Sequence, residues 1–254
     1  MQWLSFGIRM KIAHGVEMLT LEVNMGAPSI IHPTLVWDEE KVILVDAGVP
    51  GQQEVIRAEV EKVGVAWDKV NVVILTHQDI DHVGSLPAIL AQSKHSVEVL
   101  AHAVEKPYIQ GDITHYKFNR ERFGPMLASL PDEQQKPLEY LMDNFPKSKV
   151  DRTFVDGDVL PYCGGITILF TPGHTPGHVA LYLNKHKVLI AGDAMTAANG
   201  KLAGPSASAT PDMETALKSL HRFKEFDIKK VICYHGGLVA ENVNAQITEL
   251  TKQA

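Results

Sequence analysis

The sequence predicts an α/β fold. Short apolar runs of strand length alternate along the chain with amphipathic stretches of helical spacing. In both halves, polar and histidine-rich turns follow the apolar runs directly, where proteins of this class fix side chains against a rigid sheet.

In chain order, residues 34–37 and 42–45 read as strands, the second stopped by the turn chemistry of Asp46-Ala47-Gly48. Residues 52–63 carry Val55, Ile56, Val60 and Val63 at helical spacing. The run 70–75 (VNVVIL) reads as a buried strand bounded by Thr76-His77, with a helix at 83–91 and a strand at 97–100. From 105 to 149 the pattern loosens: 131–145 reads as helical, while Tyr108, Tyr116, Phe118 and Phe123 stand among polar residues. Strands return at 166–170, 179–183 and 188–191, followed by a helix at 211–226 with Pro211 in its first turn, a strand at 231–234 and a closing helix at 239–250. No Pro/Gly/Ser-rich linker and no repeat divides the chain, so one domain is expected over residues 1–254. Residues 105–149 would be a lid or interface insertion, since a long, loosely patterned segment often serves as a lid.

With 254 residues, 45% apolar and 21% charged, the chain is neither disordered nor collagenous nor a disulfide scaffold. A net charge of −6 argues against a broad nucleic-acid surface. Only Cys163 and Cys233 are present, and no stretch approaches a membrane span. Residues 1–11 lack the apolar core of a signal peptide, so a cytoplasmic protein is expected, without nucleic-acid or membrane partners.

The informative residues are histidines. Thr76-His77-Gln78-Asp79-Ile80-Asp81-His82 sets four metal-ligating side chains directly after a buried strand, and imidazole with carboxylate suits Zn, Fe or Mn. Three further strand ends add to it. Thr171-Pro172-Gly173-His174-Thr175-Pro176-Gly177-His178 holds His174 in a rigid turn, Gly192-Asp193-Ala194 offers a carboxylate able to bridge two ions, and His235 ends the last apolar strand. One such cluster is ordinary turn chemistry; four in one chain argue for a single dinuclear site. His14, His32, His95, His102, His115, His186 and His221 fit no ligand pattern and read as surface or hydrogen-bonded residues.

Taken in order, HxDxDH, TPGHTPGH, GDA and the late histidine resemble the metallo-β-lactamase superfamily, and Val42-Ile43-Leu44-Val45-Asp46-Ala47-Gly48 is similar to its early strand ending in DxG. The resemblance implies a four-layer αββα sandwich with a metal site between the sheets. It assigns His77 and His174 to a first metal, Asp81, His82 and His235 to a second, and Asp193 to a bridge, with Asp46 steadying a ligand from behind and His178 structural. The cofactors implied are two divalent ions, Zn first, with Mn or Fe as alternatives.

Asp79 departs from the family's HxHxDH. It adds negative charge to the first half-site, tilts preference toward Fe or Mn, and acts either as a direct ligand or through water. The implied chemistry is attack of a metal-bridging hydroxide on an ester, lactone or thioester, with Asp193 bridging and Asp81 holding the nucleophile's proton or assisting the leaving group. A lactonase-like or glyoxalase II-like branch fits the size, although Thr196 stands where signalling-lactone hydrolases carry a tyrosine. The substrate would be a small acyl compound, and a homodimer is left open. The competing readings are an iron-dependent, oxygen-using redox enzyme and a ligand-binding protein with a weakened metal site.

Overall fold

The structure, a computed structural model, describes residues 12–24 and 26–253. Residues 1–11, read above as lacking a signal peptide, lie outside the described residues. Strands β1 (Val16–Met18), β2 (Leu21–Asn24), β3 (Pro28–Ile31), β4 (Thr34–Trp37), β5 (Val42–Val45), β6 (Val72–Ile74), β7 (Glu98–His102) and β8 (Arg152–Phe154) belong to the first half. Strands β9 (Val159–Leu160), β10 (Ile166–Phe170), β11 (Val179–Leu183), β12 (Val188–Gly192), β13 (Thr196–Ala198), β14 (Lys201–Ala203), β15 (Lys230–Cys233) and β16 (Gly237–Val239) belong to the second. The helices are α1 (Gln53–Lys62), α2 (Ile80–Val83), α3 (Leu86–Gln92), α4 (Lys106–Gln110), α5 (Arg120–Ala128), α6 (Asp132–Asp143), α7 (Met213–Ser219) and α8 (Val243–Leu250).

Two six-stranded sheets result, ordered β1-β4-β5-β6-β7-β8 and β16-β15-β12-β11-β10-β9. Their central strands β5, β6, β11 and β12 are apolar and buried at every position or nearly so because both faces are covered. Ile43, Val45, Val72 and Ile74 meet Ile168, Val179, Leu181 and Ile190 between the sheets. The alternate residues Leu44, Val73 and Leu75 pack outward on Ile56 and Val60 of α1 and on Leu86 and Ile89 of α3. On the other side, Leu189, Ala191 and Val231 pack on Val243 and Ile247 of α8 and on Leu220 and Phe223. This is the αββα layering that the resemblance implies.

Several elements differ from the sequence reading. The helix expected over 83–91 is broken into α2 and α3, because the turn at Gly84 packs on the 46–50 turn: Gly84 N donates to Gly48 O at 2.9 Å. The helix expected over 211–226 ends at Ser219 and continues as a 3₁₀ stretch, Leu220–Glu225, whose three-residue repeat turns both Leu220 and Phe223 inward. The closing helix begins at Val243, not 239, since Val239 pairs with Val231 in the sheet. The loose segment holds three helices, not one. Gly124 and Pro125 inside α5 hide it from propensity, and its start is capped by Asn119 Oδ1 accepting from Arg122 N at 3.0 Å.

The 171–178 turn is fastened to α7 by close backbone contact. Gly173 has φ +124°, and a Cβ there would lie 2.3 Å from Ala216 N. Gly173→Ala is therefore expected to lower the unfolding free energy by about 2 kcal/mol. A urea midpoint unchanged from the native chain would show that the turn does not depend on this contact.

Candidate metal centre

Each loop of the site leaves the end of a strand. β5 and β6 are parallel, as are β12 and β15. The residues following β5, β6, β10, β12 and β15 therefore converge where the two sheets meet. All seven ligand candidates from the sequence arrive there: His77, Asp79, Asp81, His82, His174, Asp193 and His235. Three groups place their ligand atoms within 4.8 Å of one another: His77, Asp79 and His174; His77, His82 and Asp193; Asp81, His82 and His235.

In the first half-site, Asp79 Oδ2 lies 3.3 Å from His77 Nε2 and 3.0 Å from His174 Nε2. In the second, His235 Nε2 lies 3.2 Å from Asp81 Oδ2, and His82 Nε2 lies 3.9 Å from the same oxygen. Asp193 reaches both: Oδ1 is 3.3 Å from His82 Nε2, while Oδ2 is 3.2 Å from His174 Nε2 and 3.3 Å from His235 Nε2. Bonds of about 2.0–2.1 Å to a tetrahedral ion set its ligands roughly 3.3–3.4 Å apart, so this spacing suits an ion of that size. His77 Nε2, His82 Nε2, Asp79 Oδ1 and Asp193 Oδ1 are buried without a hydrogen-bond partner. Orphaned polar atoms in a dry site are costly, and a cation satisfies them together. The donor set fits a divalent metal.

The groups behind the ligands fix their tautomers. Asp46 is held by Thr76, whose amide donates to Oδ1 at 2.9 Å and whose hydroxyl donates to Oδ2 at 2.8 Å. His82 Nδ1 donates to Asp46 Oδ2 at 2.9 Å, which turns Nε2 toward Asp193. His77 Nδ1 lies 3.0 Å from Thr76 Oγ1, with the same effect, and the Thr210 hydroxyl holds the His174 ring by Nδ1 at 3.2 Å. His178 behaves otherwise. Its Nε2 accepts from Asp193 N at 3.0 Å and its Nδ1 contacts Thr171 Oγ1 at 2.8 Å, so it carries no lone pair for a metal and instead orients Asp193.

Electrostatics separates the histidines. Burial drives His77 well below the ordinary imidazole range, with His82 adding to the effect. Burial also pulls on His82, but the carboxylates of Asp46, Asp193 and Asp81 overcome it and hold His82 well above that range. His235 is lifted the same way, against burial, to about 10 by Asp193 and Asp81. Asp193 stays ionised in spite of its burial because His82, His174 and His235 surround it. The net field favours positive charge.

Residues that sequence reasoning missed complete the site. Glu105, fully buried, accepts from Thr175 Oγ1 at 2.8 Å, Gly177 N at 2.7 Å and Gln78 Nε2 at 2.9 Å, and so ties the 76–82 loop to the 171–178 turn. Gln78 also accepts from Tyr116 N at 2.8 Å and, through its carbonyl, from His115 Nε2 at 2.9 Å. His115 is thus a buried strut between the insertion and the site. The Tyr234 hydroxyl donates to the carbonyl of Asp81, and its ring lies 3.7 Å from that of His82. Lys117 extends from the insertion to Asp79 Oδ2 and His174 Nε2, 2.7 Å from the latter. The one signal for Glu105 is a charge just after a buried strand; for Lys117 there is none, since a lone lysine reads as solvated. Both cysteines are buried, and burial with Asp38 nearby pushes the Cys163 thiol up to about 12, as suits inert structural thiols.

A fold of two facing sheets with a histidine–aspartate cluster at their shared edge defines a metal-site α/β protein of a recognisable class. The chain matches the family model described as Metallo-beta-lactamase superfamily over residues 26–235, and it belongs to that superfamily. It is 28% identical to Probable metallo-hydrolase YflN of Bacillus subtilis (strain 168), over 97% of this chain and 94% of that protein. It is 30% identical to Hydroxyacylglutathione hydrolase GloC of Haemophilus influenzae, over 64% of this chain and 65% of that protein. A metallo-beta-lactamase family protein of Thermus thermophilus superposes with a TM-score of 0.72 at 21% identity, covering 96% of this chain and 80% of that one, a likeness of fold. No helix among the described residues is long and apolar enough to cross a membrane.

If Asp46 presets His82, Asp46→Asn is expected to weaken metal binding roughly 10–100-fold with little loss of fold. Competition against a chromophoric chelator measures this, and native affinity in the variant would remove Asp46 from the site.

Proposed function

We propose that the protein is a metal-dependent hydrolase of a small acyl compound, an ester, lactone or thioester. The observation that carries this reading is Asp193, whose two oxygens face His82 in one half-site and His174 in the other, with His235 beside them. His77, Asp79, His174 and Asp193 would hold one ion and Asp81, His82, His235 and Asp193 another, so the ligand set has capacity for two. When bound, a divalent ion supplies a nucleophile at neutral pH by acidifying water and polarises the acyl oxygen. Four imidazoles with three carboxylates suit Zn, and the oxygen content admits Mn or Fe.

The protein's own groups set the geometry. Asp81, its backbone pinned by Tyr234, stands beside His235 and is placed to take the nucleophile's proton or pass it to the leaving group. His178 fixes Asp193 by its amide, so that the shared carboxylate keeps one orientation. The insertion supplies a cavity of about 650 Å³ in which Tyr108, Tyr116, Phe118 and Met142 stand beside the charged Arg120, Glu121, Arg122 and Asp143, which we assign to the substrate, with residues 105–149 as its lid. The Haemophilus relative, named for hydrolysing a hydroxyacyl compound, supports the acyl class.

Hydrolysis of a panel of esters, lactones and thioesters is expected to cease on chelation and return on adding Zn, Mn or Fe. Asp193→Ala is expected to lose roughly 10²-fold or more in kcat/KM. Metal uptake with no turnover of any acyl compound would favour a redox or ligand-binding role. Replacing Phe118 and Phe123, whose rings lie 4.7 Å apart, by alanine is expected to raise KM for long acyl chains roughly tenfold. Unchanged chain-length selectivity would take the lid away from substrate recognition.

A further inference from the structure

We propose that Lys117 is the built-in cation of the first half-site, so that this chain carries one metal ion and one fixed ammonium group where its ligand set has capacity for two ions. The inference rests on the metal-hydrolase reading and specifies its centre.

The geometry leaves one place for both cations. Lys117 Nζ contacts Asp79 Oδ2 and lies 2.7 Å from His174 Nε2. These are two of the atoms that a first metal would need. His174 Nδ1 meets the Thr210 hydroxyl at 3.2 Å, which turns Nε2 toward the half-site. That nitrogen lies 3.0 Å from Asp79 Oδ2 and 3.2 Å from Asp193 Oδ2. The ammonium meets the Asp79 carboxylate and the Nε2 edge of His174 in the place that a first metal would take. A divalent ion bonded to the same nitrogen and oxygen would sit in contact with Nζ, so the two exclude each other.

Asp79 fits this assignment. An imidazole at position 79 would offer the ammonium one neutral lone pair, whereas a carboxylate offers a full opposite charge. Lys117 is held in reach by its neighbours. His115 Nε2 and Tyr116 N are both anchored on Gln78, the residue between His77 and Asp79. The Lys117 side chain is 17% exposed, so the approach is from inside the insertion and not across open solvent. The second half-site differs: among the described residues its ion pairs all join histidine to aspartate. It keeps its ligand atoms for a metal.

The test is titration of chelator-stripped protein with Co²⁺, read by visible absorption and by metal bound after desalting. The native chain is expected to saturate at about one equivalent and Lys117→Met at about two, with Lys117→Arg remaining at about one because it retains the charge. Native protein taking up two equivalents, or Lys117→Met remaining at one, overturns the proposal. Two equivalents with acyl turnover would leave the hydrolase reading standing without it, whereas no uptake by the native chain would remove both. A second measurement needs no variant. Lys117 in Co²⁺-saturated native protein is expected to resist acetic anhydride, read by peptide mass spectrometry. Acetylation to the extent of surface lysines such as Lys62, 69% exposed, would show that the metal displaces it and would overturn the proposal.

Discussion

Three carboxylates, two of them buried, set among four imidazoles form the constraint on which the rest of this structure depends. Asp79, Asp81 and Asp193 cannot remain charged in so dry a place unless positive charge meets them. The surrounding architecture meets that need. Two sheets aim their loops at one edge, Asp46 and Thr76 commit His82 and His77 to tautomers with Nε2 facing inward, and His178 turns Asp193 toward both half-sites. The chemistry proposed for the protein is what such a field does to water and to an acyl oxygen once a metal occupies it.

A second kind of buried carboxylate makes the loops act as a unit. Glu105 is fully buried, and burial raises its affinity for a proton against the hydrogen bonds from Thr175, Gln78 and Gly177 that favour its charged form. Its oxygens join the turn that carries His174 to the loop that carries His77, while Gln78 passes the connection to His115 and Tyr116. The insertion is therefore coupled to the metal loops through a hydrogen-bonded relay and not merely laid over them. That coupling is what lets residues 105–149 bring Lys117 to the metal loops.

Much of this was legible in the sequence for definite reasons. β5, β6, β11 and β12 are buried on both faces, so their apolar runs stand out, and the turns after β6, β10, β12 and β15 announce their ligands by residue type. The parts that stayed hidden depend on contacts that sequence does not carry. Lys117 meets Asp79 across 38 positions, and nothing near it marks it as buried. α5 is masked by Gly124 and Pro125. Val239 sits in a strand because β15 is beside it, whereas the local pattern from 239 to 250 is helical. Strands β1 to β3 are three or four residues long and partly exposed, too short for a period to show.

The measurement that tests the central claim most directly is X-ray absorption on the metal-loaded protein. The account predicts nitrogen and oxygen neighbours at about 2.0–2.1 Å, with the outer-shell scattering of imidazole rings and no sulfur. A shell with sulfur, or one without imidazole scattering, would show that the metal sits elsewhere and that the buried histidine–aspartate cluster is not the centre.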